Sequence, residues 1–262
     1  VIIDAHAHVH DPASAHLQLL DEAGIDRSVL FTTRVHPERA VDFATLKAEL
    51  QALQERLAGG GPGPETFLAA LDEQARVLEA HPHRFIGMGS VPLGLPEDEI
   101  RTWIAEQVLG RGLRGVGELT PPPGRFQVLA PVLAASAEMG RFPVMVHGFA
   151  PTTRDDLRLL AELARARPDV PVVITQLGGP CWMDAIEAAV ATPNLFIEIS
   201  TVPVAFAARH AIAALPDRTL FGSDAPYGDP LLARQLIERV VPPGSLREQV
   251  LGGTAARLFG LE

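Results

Sequence analysis

The feature that most limits what this chain can fold into is an alternation repeated eight times. A short apolar run of strand length is followed by a longer amphipathic stretch, with turn residues at nearly every junction. The runs are VIID (1–4), RSVLFTT (27–33), RFIGMGSV (84–91), RGVGELT (114–120), FPVMVHG (142–148), VPVVITQ (170–176), NLFIEIS (194–200) and RTLFGSD (218–224). Helical patterns among the stretches between them include 15–24, 65–80, 128–140, 153–166 and 183–192. Strands that return through helices make right-handed crossovers, so the pattern predicts a parallel α/β sheet covered by helices. Eight such units close a (β/α)8 TIM barrel, and 262 residues match the length of one. An open doubly wound sheet is the second choice. The whole chain, 1–262, is expected to be a single domain.

Composition narrows the function classes. Lys and Arg number 22 against 32 Asp and Glu, a net charge of −10 with no block of like charges, so no nucleic-acid partner is expected. No run of 18 apolar residues occurs, and VIIDAHAHVHD lacks the basic and apolar regions of a signal peptide; a cytoplasmic protein without a membrane partner is expected. The single Cys181 cannot form an internal disulfide and has no His beside it, so it reads as a packing residue in a reducing compartment. No G-x-G-x-x-G or phosphate loop opens any helix, which leaves nucleotide binding unsupported. A homodimer is expected from base rates alone.

One stretch exceeds the eightfold pattern. Residues 34–64 insert after the second run, with an amphipathic segment (41–58) followed by GGGPGP (59–64), which reads as a hinge. A long connection leaving the C-terminal end of a barrel strand lies on the catalytic face, so a lid and a plain linker are both open readings. At the other end of the chain, Thr254 is expected to cap a last helix after a Gly-Gly turn.

In such a barrel, chemistry sits at the C-terminal ends of strands. The ends here are polar: His6 and His8, then Glu118, His147, Gln176, Glu198 and Asp224. Side chains two apart on a strand share a face, so His6 and His8 can converge on one point, and His147 and Asp224 can complete a three-nitrogen, one-oxygen set for a divalent ion. An H-x-H pair alone is more often satisfied by backbone groups; its company at the other strand ends makes the metal reading the stronger one. Glu118 is either a structural carboxylate or a group in contact with metal or substrate, and the alternation in LFIEIS can turn Glu198 either way. Arg34 could hold a substrate carboxylate in a bidentate fork, against the commoner case of an exposed loop arginine. Trp182 and Tyr227 follow the sixth and eighth runs, where an aromatic lines a pocket or packs at the rim. Of the other histidines, only His10 and His36 stand where top-face loops approach the site.

These residues carry a resemblance. The H-x-H, His147 in VMVHGFA, Asp224 in LFGSDAPYG and the ending VLGGTAARLFGLE resemble the amidohydrolase superfamily. The phrases PHRFIGMGSVPL (82–93), ITQLGG (174–179) and PNLFIEIS (193–200) resemble its amidohydrolase 2 group, with relatives like aminocarboxymuconate-semialdehyde decarboxylase. The resemblance implies a (β/α)8 barrel, a metal site of His6, His8, His147 and Asp224, and Asp224 as proton acceptor for an attacking water. The chain departs from the group at strand 6, where Gln176 stands in place of the usual His. An amide donates or accepts a hydrogen bond but exchanges no proton near neutral pH.

Two-metal relatives bridge their ions with a carbamylated lysine or an acidic residue. The only lysine, Lys47, lies in the 34–64 segment, and Glu118 as a bridge would have only His147 to share a second ion. One tightly held divalent ion is therefore expected, Zn²⁺ first, with Mn²⁺, Fe²⁺ or Co²⁺ as alternatives. The first functional expectation is a metal-dependent hydrolase of a small ester, lactone or amide, with Asp224, Gln176 and Glu118 catalytic and Arg34, Trp182 and Tyr227 binding the small-molecule substrate. The alternative is a metal-dependent non-oxidative decarboxylase on the same site; a third reading is a binding protein that retains the barrel.

Overall fold

Each of the eight apolar runs contains a strand in the computed structural model, which describes residues 1–57, 63–202 and 204–261. The strands are β1 (Ile3–His8), β2 (Arg27–Phe31), β3 (Phe85–Gly87), β4 (Val116–Leu119), β5 (Val144–Val146), β6 (Val172–Ile174), β7 (Leu195–Glu198) and β8 (Thr219–Leu220). They pair in parallel as β1-β2-β3 and β4-β5-β6-β7-β8. Backbone contacts join these two ladders at both seams. Gly117 N–H donates to Gly89 O (2.9 Å) between β3 and β4, and His8 N–H donates to Ala225 O (2.7 Å) between β8 and β1. The result is a closed (β/α)8 barrel.

Most strands are shorter than the runs that predicted them, because the last residues of each run leave the ladder at the barrel mouth. β1 is the exception: it continues through the H-x-H to His8, which places both imidazoles on the strand itself.

The helices are α1 (Ala13–Glu22), α2 (Phe43–Leu57), α3 (Pro64–Ala80), α4 (Glu97–Trp103), α5 (Ala130–Glu138), α6 (Arg154–Arg165), α7 (Trp182–Val190), α8 (Ala205–Ala214), α9 (Pro230–Val240), α10 (Ser245–Glu248) and α11 (Thr254–Phe259). Among the described residues no helix is long and apolar enough to cross a membrane. Local chemistry explains several starts. Thr153 and Asp156 form a reciprocal capping box on α6, and Asp229 accepts from Leu232 N–H (2.9 Å) at the start of α9, with Pro230 in the first turn. In the 34–64 segment, α2 stands where the amphipathic pattern placed it, while Gly59 to Pro62 of the expected hinge lie outside the described residues.

The end of the chain corrects one expectation. Gly252 and Gly253 are not a turn: they belong to a π-helical stretch, Gln249–Gly253, that joins α10 to α11. Thr254 caps nothing, and its hydroxyl lies instead 3.4 Å from the Gln249 side-chain amide. The glycine at 252 serves proximity, since a Cβ there would collide with the Val1 carbonyl.

Alternation along the strands builds two layers. Phe31, Met145, Val173 and Leu220 fill the barrel interior with Met88, whereas Val144, Val146, Val172 and Ile174 face outward onto Leu157, Leu160 and Ala161 of α6 and their neighbours. Beside the barrel, His16 of α1 is buried and stacks on His10, ring centroids 4.2 Å apart. Burial first, and the His10 ring second, hold the pKa of His16 well below the ordinary histidine range. A buried neutral histidine makes the unfolded state the better proton acceptor, so stability rises with pH through this window. Chemical unfolding at successive pH values is expected to show stability falling as pH drops below ~6.5, with the slope reduced in His16→Phe.

Candidate metal centre

Backbone geometry brings three donor atoms together at the barrel mouth. His6 Nε2 lies 3.4 Å and His8 Nε2 3.3 Å from Asp224 Oδ1. His6 comes from the middle of β1 and His8 from its end. Asp224 follows β8 in a left-handed conformation (φ 58°) that a non-glycine residue rarely adopts and that aims its carboxylate back at the two rings. His6 Nε2 and Asp224 Oδ1 are both buried without a hydrogen-bond partner. Such orphaned atoms facing one another, two nitrogens and an oxygen, fit a divalent ion.

The surroundings orient those donors. His6 Nδ1 meets Glu198 Oε2 at 2.8 Å; the same oxygen accepts from Ser200 Oγ–H (2.9 Å) and Gln176 N–H (3.0 Å). A carboxylate on Nδ1 fixes that nitrogen as the protonated one and turns the Nε2 lone pair toward the centre. Glu198 reaches His6 across β8 because Gly222 lies between them: a Cβ there would collide with the Glu198 carboxylate and come 2.9 Å from His6 Cβ. Beneath, Asp4 Oδ1 accepts from the N–H groups of His6 (3.0 Å) and Ser223 (2.9 Å), and its Oδ2 from Ser223 Oγ–H (2.6 Å), tying β1 to the turn that carries Asp224. Burial pushes the Asp4 carboxyl up to about 7 against these hydrogen bonds. Burial opposes a charge on His6, but the carboxylates of Asp224, Glu118 and Glu198 outweigh it and push the ring up to about 10. That concentration of negative charge around a buried ring suits a cation.

His147 stands outside the group of three. Its Nδ1 meets Glu118 Oε1 (3.2 Å), as His6 meets Glu198, and its Nε2 lies 3.4 Å from Ala150 O. Burial works against its charge, yet Glu118 raises its pKa above the ordinary histidine value, while Glu118 itself is held below the usual carboxylate range by His147 and His6 despite its own burial. Glu118 also accepts from the Thr175 hydroxyl and lies 3.8 Å from His6 Nε2.

Gln176, in a left-handed conformation (φ 53°), is held at both ends of its amide. Phe149 N–H donates to its Oε1 (3.1 Å), which turns its Nε2 toward Asp224 Oδ2 as donor (3.0 Å).

A cavity of about 710 Å³ opens over the centre, lined by His8, Glu118, His147, Gln176, Asp224 and Tyr227 and also by Arg34 and residues of α2. Tyr227 sets its ring edge-on to His8, 5.6 Å between centroids. Arg34 stacks over Phe67, its guanidinium carbon 4.5 Å from the ring centre. Trp182 is brought elsewhere: it packs against Phe206 of α8, centroids 6.0 Å apart, and is not among the cavity-lining residues. His36 pairs with Glu38 (2.9 Å) and His10 stacks on His16, so neither top-face histidine lines the cavity. Asp4, Ser200 and Ser223 carry no motif that marks them; Glu198 is marked only by the alternation in LFIEIS.

A family model described as amidohydrolase matches residues 3–261. The chain belongs to the amidohydrolase family. Among solved structures, this amidohydrolase is similar to 2,6-dihydroxybenzoate decarboxylase from Rhizobium (15% identity, TM-score 0.68, covering 99% of this chain and 98% of that one). It is similar to 5-carboxyvanillate decarboxylase from Sphingomonas paucimobilis (19%, 0.68, 99% and 98%). A third is a dihydroxybenzoic acid decarboxylase from Polaromonas sp. JS666, solved with bound manganese and the inhibitor 2-nitroresorcinol (17%, 0.68, 99% and 97%). At these identities the likeness concerns the fold. No curated protein sequence matches.

Metal analysis of protein purified without chelator is expected to find about one divalent ion per chain. Asp224→Asn and the double variant His6→Ala/His8→Ala are expected to lose it while remaining folded. Glu198→Gln keeps the ligands but loosens His6, and its metal affinity is expected to fall about 10–100-fold. Two tightly bound equivalents in the wild type would contradict the single centre.

Proposed function

We propose that this amidohydrolase is a metal-dependent decarboxylase that releases CO2 from a small aromatic or otherwise unsaturated carboxylic acid without an oxidant. The observation that carries the reading is the hydrogen bond between Gln176 and Asp224. Hydrolysis needs a base to take a proton from the attacking water and return it to the leaving group. Asp224 Oδ1 faces the two imidazoles, and Oδ2 already accepts the Gln176 amide proton. With one oxygen turned to the centre and the other already accepting from a neutral amide, Asp224 is a weaker proton acceptor for a hydrolytic cycle, and Gln176 cannot replace it.

Decarboxylation makes a different demand. The bond between the carboxylate and its carbon breaks, the electron pair stays on that carbon, CO2 leaves, and a proton drawn from solvent takes its place. No water needs activating. His6, His8 and Asp224, with His147 as the fourth donor through Nε2, would hold a divalent ion, Mn²⁺ or Zn²⁺, which would supply positive charge to orient the substrate oxygens and to offset the charge that develops as CO2 leaves. Glu198 and Glu118 hold the two imidazoles by Nδ1, and Asp4 keeps β1 in register with the Asp224 turn. Val35, Phe67, Val91 and Leu93 supply apolar walls that exclude water and accept a ring. The similar structures, decarboxylases of hydroxylated benzoates and one with manganese, support the same reading. Hydrolysis of an ester, lactone or amide, the first expectation from the sequence, takes second place.

The cover over the cavity belongs to the proposal. Leu53, Gln54, Arg56 and Leu57 of α2 line it, so residues 34–57 act as a wall that ligand contacts stabilise. Amide exchange across 43–57 is expected to slow when a ligand fills the cavity; identical exchange with and without ligand removes that role.

The deciding assay incubates Mn²⁺- or Zn²⁺-loaded protein with hydroxylated and carboxylated benzoates, and separately with lactones and esters. The expected result is metal-dependent CO2 release, with deuterium at the vacated carbon when the reaction runs in D2O, and acid release from the esters at background. Lactone or ester hydrolysis without CO2 release from any acid overturns the reading.

A further inference from the structure

Two guanidinium groups in the cavity form no ion pair with a carboxylate among the described residues. Arg34 lies in the loop beyond β2 and Arg56 in the last turn of α2, and both line the cavity. Each has a buried Nη1 without a hydrogen-bond partner among the described residues. Other arginines near the surface are paired with carboxylates, among them Arg39 with Asp11 (2.6 Å), Arg84 with Asp21 (2.8 Å) and Arg111 with Asp72 (2.7 Å).

The geometry of Arg34 is that of a prepared donor. Its guanidinium carbon lies 4.5 Å from the centre of the Phe67 ring, and its buried Nη1 has no partner among the described residues and is available to a carboxylate. Burial, and then the charge of Arg56, hold the Arg34 pKa below the ordinary arginine value, and both side chains line the same cavity. Like charges in a partly desolvated wall are costly, as are buried donors without acceptors. One anion placed between them removes both costs. The cavity carboxylates Glu118 and Asp224 do not serve, because they are engaged with His147, His6, His8 and Gln176.

We propose that Arg34 and Arg56 form a second anion subsite and that the ligand of this cavity is a small dicarboxylic acid. One carboxylate is directed to the His6–His8–Asp224 centre and the other is held between the two guanidiniums. A volume of about 710 Å³ has room for a substituted ring between the two points, and Phe67 and Leu93 supply apolar surface beside it. Arg56 is thereby a specificity-determining residue. The proposal rests on the decarboxylase reading only for the fate of the first carboxylate; under that reading the second stays on the product, which leaves as a monoacid.

The test is calorimetric binding of benzene-1,3-dicarboxylate and of benzoate to the metal-loaded protein at fixed ionic strength. The diacid is expected to bind at least about tenfold more tightly than the monoacid. Arg34→Gln and Arg56→Gln are each expected to bring the ratio of diacid to benzoate affinity down toward one. Arg56→Lys, which keeps the charge but loses the fork, is expected to retain part of the preference, and matching melting curves check that the variants fold. Equal affinities for the two acids in the wild type, no binding of either, or a full preference surviving in Arg56→Gln overturns the subsite. The two proposals fail separately. CO2 released as readily from monoacids as from diacids removes the subsite and keeps the decarboxylase. A diacid preference in binding that Arg56→Gln abolishes, without CO2 release, keeps the subsite and removes the decarboxylase.

Discussion

A buried imidazole held on one nitrogen by a buried carboxylate is the contact from which the rest of the site follows. Glu198 and His6 stand on β7 and β1, which are not neighbours in the barrel, since β8 lies between them. They meet at 2.8 Å only because the intervening residue, Gly222, has no side chain. The contact settles the tautomer of His6 and directs its second nitrogen toward Asp224 and His8. Burial of both partners makes it demanding: removing Glu198 takes from the buried His6 ring the carboxylate that holds its Nδ1, and removing His6 leaves Glu198 with only the Ser200 and Gln176 donors.

The same charge logic extends outward. Three carboxylates crowd the His6 ring, a setting that suits a cation, and two guanidiniums line the α2 side of the cavity, a setting that suits the proposed anion. Between these poles the lining is largely apolar. An elongated ligand with acidic groups at both ends matches this division of charge better than a neutral ester does. Gln176 links the two themes. As a neutral amide clamped by the Phe149 N–H, it engages Asp224 without adding charge or exchanging a proton, and so ties that carboxylate to its place at the centre.

Much of the fold was legible in the sequence because the period of alternation is a local property. Each apolar run contains a strand, and the 3.6-residue patterns over 65–80, 153–166 and 183–192 became α3, α6 and α7. Legibility failed where tertiary contact overruled a local cue. Gly252-Gly253 looks like a turn, but the glycines serve the approach of the Val1 carbonyl and the helix passes through them. Trp182 follows its strand where pocket aromatics stand, yet the start of α7 turns it onto Phe206.

The sequence by itself determined the barrel class and placed the polar residues at the strand ends, because strand and helix periods and the position of a residue along a strand depend only on neighbours in the chain. Tertiary structure alone decided which of those residues touch. The convergence of His6, His8 and Asp224, the separate pairing of His147 with Glu118, the reach of Glu198 over Gly222 and the shared cavity of Arg34 and Arg56 all join groups far apart in sequence. Such contacts are set by barrel closure and by the direction of each side chain from its strand end, neither of which is encoded in local spacing.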